Sequence, residues 1–136
     1  MSPEAIHALI SGYYKPSSPR DLRFPTDDVD RIERYFGCVV PTDFRVFREL
    51  LPGYGVEGDH LPPDEIEAVY ESEIAHNPNF AKSHLPFYSV GNGDHICLSI
   101  SACPNSPVLY VAHDDPTVSV LAPSFDAFLQ DPDWFG

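Results

Sequence analysis

The sequence predicts an α+β domain, an antiparallel meander sheet with helices packed on one face and a short C-terminal helix. Two observations predict it. Apolar residues recur at helical spacing through the first part of the chain, and after Leu85 they fall into short runs rich in Val, Ile, Phe and Tyr. Tight turns separate those runs, which makes sequence neighbours antiparallel partners.

The first helix is read over residues 3–14. Ile6, Leu9, Ile10, Tyr13 and Tyr14 make one apolar stripe, Ser2 is placed to cap it, and Pro3 suits its first position. The stretch KPSSPRDLRFP then reads as an extended connector, because its prolines and serines oppose both helix and central strand. Thr26-Asp27-Asp28 opens a second helix with Val29, Ile32 and Phe36 on one face, and Gly37 stops it. Pro41 begins a third, with Phe44, Phe47, Leu50 and Leu51 inward, Arg45, Arg48 and Glu49 outward, and Pro52-Gly53 as its end. A fourth spans about 63–75, burying Ile66, Val69, Tyr70 and Ile74 and placing Glu67, Glu71 and Glu73 on its outer face.

Strands are expected near 86–90, 95–101, 107–112 and 118–121, joined by GNGD, ACPNSP and DDPT. A hairpin about Pro104 sets Ile96, Leu98 and Ile100 opposite Ala112, Tyr110 and Val108 on the apolar face. His95, Cys97, Ser99, Leu109, Val111 and His113 then share the other face. Ser124 caps the last helix, with Phe125, Phe128 and Leu129 inward.

At 136 residues, 43% hydrophobic and 12% aromatic, the chain has material for one core, and residues 1–136 are expected to form one domain. The N-terminal stretch lacks a basic segment followed by a continuous apolar one, and no apolar run nears the roughly 20 residues that span a bilayer; the expectation is a cytoplasmic protein. Cys38, Cys97 and Cys103 are an odd number without a CxxC pair, which reads as buried thiols in a reducing compartment.

Charge narrows the partners. The net charge is −13, and the excess is uneven: residues 1–56 hold 7 Lys and Arg against 8 acids, whereas from Glu57 onwards Lys82 stands alone against 13. Nucleic acid and anionic membrane are poor partners for such a chain, and a basic protein is a good one. Asp59, Asp64, Glu65, Glu67, Glu71, Glu73, Asp114 and Asp115 are the candidate partner-binding acids, with aromatic anchors sought among Tyr54, Tyr88 and Trp134.

Catalytic signatures are missing: the sequence contains no GxSxG, HExxH, Walker loop or GxGxxG. The best alternative is a metal or hydrolytic site from His95, Cys97 and His113, since His95 and Cys97 project together and the expected register puts His113 across from His95. Spacing alone favours ordinary strand-end histidines, so no catalytic residue, metal or cofactor is assigned.

Five segments in order resemble the SUKH superfamily, which contains the fungal cell-wall synthesis regulator and many bacterial immunity proteins. They are RIERYFG, VVPTDFRVFRELLPGYG, LPFYSVGNGDHICLSI, PVLYVAHDD and APSFDAFL, together covering about residues 29 to 131. Val40 stands where that family usually has Leu, and Pro52-Gly53-Tyr54-Gly55 where it has Asn-Gly. The resemblance implies a helix-covered antiparallel sheet without catalytic residues or cofactor. It also implies a role in neutralising a co-encoded toxin, often a nuclease, by binding it, or else a regulatory, scaffolding role like that of the fungal member.

Overall fold

In the computed structural model, which describes residues 1–16, 23–55 and 59–131, α1 starts, α2 stops and α3 ends on local signals noted above. Helix α1 (Pro3–Tyr13) starts where the Ser2 hydroxyl accepts the Ala5 amide at 3.1 Å, and it buries Ile6 and Ile10. Helix α2 (Asp28–Phe36) stops because Gly37 takes the left-handed conformation, φ 66°, returning its amide to the Glu33 carbonyl at 2.8 Å. Helix α3 (Thr42–Leu50) tightens into a 3-10 turn over Leu51–Gly53, and α4 runs from Pro63 to His76. Residues 17–22 of the connector lie outside the described residues; at its entrance Pro16 bridges to Tyr54, and Gly55 donates to the Lys15 carbonyl at 2.9 Å.

Strands β1 (His84–Ser89), β2 (His95–Ser99), β3 (Val108–Val111) and β4 (Val118–Ala122) form an antiparallel sheet in sequence order, and α5 (Phe125–Leu129) follows. The fold is therefore the α+β meander that the patterning predicts. The β2–β3 register differs from the expected one by two residues: Ile96 faces Tyr110 rather than Ala112, and His95 faces Val111 rather than His113. The cause is local. After Ser99 the chain enters a 3-10 turn over Ile100–Ala102, and the Ser106 hydroxyl accepts the Ser99 amide at 2.7 Å, closing the pairing early. A shift of two preserves the alternation, so the expected faces hold.

One face carries Leu85, Phe87, Ile96, Leu98 and Val108 into the main core, where they meet Ile6, Ile10, Ile32, Phe44, Phe47 and the α5 residues Phe125, Phe128 and Leu129. Aromatic rings dominate that junction: Phe44 lies 5.4 Å from Phe87 and 5.2 Å from Phe125 between centroids, both edge-on. On the other face a smaller cluster of Phe80, Cys97, Leu109 and Val111 packs with Tyr70 and Ile74 from α4.

Arg48 corrects the expectation that it points outward. It is 1% exposed, on the same stripe of α3 as Phe44, Phe47 and Leu51. The i, i+4 spacing from Phe44 puts it there, and α2 supplies the counter-charge: Nε and Nη2 donate to Asp28 at 2.6 and 2.8 Å, and Nη2 also to the Leu61 carbonyl at 2.8 Å. Asp28, 3% exposed, is likewise internal.

Candidate functional site

The acids singled out by charge fall into three places. Asp64 and Glu65 are exposed in the first turn of α4, where the partial positive charge of the helix end favours them. Farther along, α2 lies beside α4 and claims two acids of the expected outer face. Arg31 grips Glu67 with two bonds of 2.7 and 2.9 Å, and the Tyr35 hydroxyl donates to Glu71. That hydrogen bond, together with desolvation, pushes the Tyr35 phenol up to about 12. Of Glu67, Glu71 and Glu73, only Glu71 is exposed; Glu67 and Glu73 are half-buried. Glu73 accepts from the Asn77 side chain at 2.9 Å and acts electrostatically on His95 and His113, which sets it toward the second face of the sheet.

Asp59 forms the second place, beside the outer edge of β1. It is exposed and accepts a 3.3 Å bond from Tyr88, whose phenol is raised by burial and then by this carboxylate. Asp114 and Asp115 form the third, on the turn between β3 and β4. Both are exposed, and Asp115 accepts the Thr117 amide at 2.8 Å, which holds its carboxyl below the usual range.

The turn that carries Asp114 is anchored by Asp94. This buried carboxylate, at the start of β2, accepts from the Tyr110 hydroxyl, the His113 amide at 2.9 Å and His113 Nδ1 at 2.6 Å. Burial pushes the Asp94 carboxyl up, but these hydrogen bonds outweigh it and hold it at about 2. The same contact raises the His113 imidazole. Gly93, at φ +96°, lets the turn approach so closely that a Cβ there would lie 3.1 Å from the His113 ring.

The metal alternative is not assembled as its spacing suggested. His95 and Cys97 are buried while His113 is exposed and turned to Asp94, because the two-residue register shift carries it past the end of β3. Among the described residues, the three-member group whose ligand atoms lie within 4.8 Å of one another is Asp94, His113 and Asp114. Both Asp94 oxygens there already accept hydrogen bonds from the chain itself. Burial, foremost, raises the Cys97 thiol well above its ordinary value, the reverse of what a thiolate ligand requires.

The aromatic anchors also change. Tyr54 is 6% exposed, its hydroxyl bonded at 2.9 Å to both Ser11 and His7, so it is structural. Tyr88 is half-buried, and Trp134 lies outside the described residues. Exposed apolar groups that the patterning did not single out are Tyr35, Val39, Val118 and Val120. For Val118 and Val120 a signal existed: alternation within a strand free of charge.

The ordered motifs therefore meet in space: the Gly93-Asp94 turn of one segment is closed by His113 of another, and Phe125 of the last packs on Phe44 of an earlier one. The model of the SMI1 / KNR4 family (SUKH-1) matches residues 24–131. The chain belongs to that family. SUKH proteins are in general non-catalytic immunity or regulatory domains that act by binding protein. No curated protein and no solved structure matches the chain. Among the described residues, no helix is long and apolar enough to cross a membrane.

Proposed function

We propose that this SUKH-1 chain is a cytoplasmic, single-domain immunity protein that neutralises a cationic toxin domain by binding it through an acidic surface. The observation that carries the reading is where the charges go. Three of the four arginines of α2 and α3 are spent on carboxylates of the fold itself, Arg31 on Glu67, Arg48 on Asp28, and Arg45 on Asp30, Glu33 and Glu49, while Arg34 is exposed. The later acids have Lys82 as their one Lys or Arg among residues 57–136, and Asp59, Asp64, Glu65, Glu71, Asp114 and Asp115 are exposed. A protein of this charge steers toward a cationic surface and repels nucleic acid. A nuclease toxin fits, because it must carry such a surface to hold its own substrate.

The test is capture of partners from the source cell on the tagged chain, washed first at low and then at high salt. A single stoichiometric cationic protein, held at low salt and weakened at high salt, is expected. Recovery of no such protein in either wash contradicts the reading.

A further inference from the structure

The two edges of the sheet are treated differently. Along β1 the segment 59–61 adds backbone bonds: Leu61 donates to the Phe87 carbonyl at 2.9 Å, Ser89 donates to the Asp59 carbonyl at 2.8 Å, and His60 bridges to Tyr88. Along β4, the other edge, no described residue pairs with the outer backbone. An open edge is a hazard that folds usually blunt with lysine, proline or an inward charge. Strand β4 reads Val-Ser-Val-Leu-Ala and has none of these; its pairing with β3 bulges at Leu121 and is regular over Val118, Ser119 and Val120.

Its side chains compound the exposure. Val118 pairs with Val111 and Val120 with Leu109, so both lie on the face of the second apolar cluster and extend it to the open edge. Val120 is 65% exposed and Val118 38%. Residues 113–120 are all exposed, a continuous accessible stretch beginning with the acidic turn.

We propose that the outer edge of β4 is a docking strand for an extended segment of a cationic protein. That segment adds a strand against residues 117–121, lays apolar side chains on Val118 and Val120, and carries lysine or arginine where it passes Asp114 and Asp115. A second copy of this chain is the poorer occupant. Each copy carries −13, and antiparallel pairing of two β4 strands brings the Asp114-Asp115 turn of one beside Asp126 of the other. The inference rests on the chain being a protein-binding domain and is independent of the α4 acids.

The experiment titrates the isotopically labelled chain with the synthetic peptide Lys-Val-Thr-Val-Thr-Val-Lys and follows amide shifts and hydrogen exchange by NMR. Shifts and slowed exchange confined to residues 117–121 are expected, and N-methylation of the peptide's pairing edge should abolish them. Val120→Lys, at an exposed position, should weaken binding about tenfold through lost cross-strand contact and added repulsion. Glu65→Lys with Glu71→Lys should leave the β4 shifts in place. Absence of shifts at 117–121, or shifts indifferent to N-methylation and to Val120→Lys, overturns the proposal. So does a free chain that sediments as a dimer with these amides already protected, since a second copy then holds the edge. If the peptide fails while salt-sensitive capture succeeds, the edge inference falls alone; the opposite pair of results removes the immunity reading and leaves the edge.

Discussion

Replacing Arg48 by methionine tests how this fold spends its cations. The side chain is 1% exposed and makes three charge-assisted hydrogen bonds, two to Asp28 and one to the Leu61 carbonyl. Its guanidinium carbon also lies 5.4 Å from the Phe24 ring centroid and 5.5 Å from that of Phe44. Methionine fills much of the volume but leaves the Asp28 carboxylate buried without its counter-charge. Breaking such a pair from one side costs about 3–5 kcal/mol, between three tenths and a half of the roughly 10 kcal/mol that holds a typical domain. For a chain of this length that corresponds to a melting point lower by about 10–20 °C. Removing both charges, as Asp28→Leu with Arg48→Met, should recover most of the loss and stand within about 2 kcal/mol of the parent. The assay is urea unfolding and thermal melting followed by circular dichroism on the parent, both single variants and the double. A single-variant loss below about 1 kcal/mol, or a double variant as unstable as the sum of the singles, refutes the reasoning.

Three further outcomes are expected. Gly93→Ala should destabilise by about 1–3 kcal/mol in urea unfolding, since φ +96° suits glycine alone and the new Cβ meets the His113 ring at 3.1 Å. Stability should fall on mild acidification: burial first, and then Arg48 and Arg23, lower the His60 imidazole to about 3, so the unfolded chain takes up the proton first. That contribution is whole above pH ~6.5 and is lost as pH falls toward the folded value, about 2 kcal/mol of it between pH 6.5 and 5. His84 and His95, lowered by burial, add in the same sense, whereas His113, raised by Asp94, stabilises at low pH and loses that contribution as pH rises through its folded value. Urea midpoints at pH 7, 6 and 5 read the slope, and His60→Gln should flatten it; a parent midpoint that stays constant contradicts the argument. Reversal of Asp64, Glu65 and Glu71 to lysine should slow association with the captured cationic partner about tenfold at low salt without changing the melting point by more than a few degrees, as stopped-flow mixing would show.

What the one-dimensional pattern reveals here depends on how local the cause is. Ser2 and Ser124 as caps, Gly37 as a stop and the faces of β2 and β3 are decided within a few residues, and each was readable. Arg48 was not, because residue type argued outward while its spacing from Phe44 argued inward, and the deciding partner sits twenty positions away on α2. The β2–β3 register slipped by two because a 3-10 turn and the Ser106 hydroxyl close the hairpin early, a choice that leaves the face pattern untouched. Of the candidate acids, Asp64 and Glu65 could be placed from the helix start, but Glu67 turns to Arg31, a contact set by how α2 crosses α4. Asp94 and His113 both stood in the motif segments, yet their contact depends on a register not derivable from spacing.

The order in which the core is completed has a consequence for synthesis. Phe44, Phe47 and Phe87 are closed over by Phe125 and Phe128, while the sheet beneath them is made of sequence neighbours. A nascent chain can therefore pair its strands one hairpin at a time as they leave the ribosome, but it carries an uncovered aromatic surface until α5 has been made. Any delay before α5 docks prolongs the stage at which the molecule is most open to association with other chains through that aromatic surface.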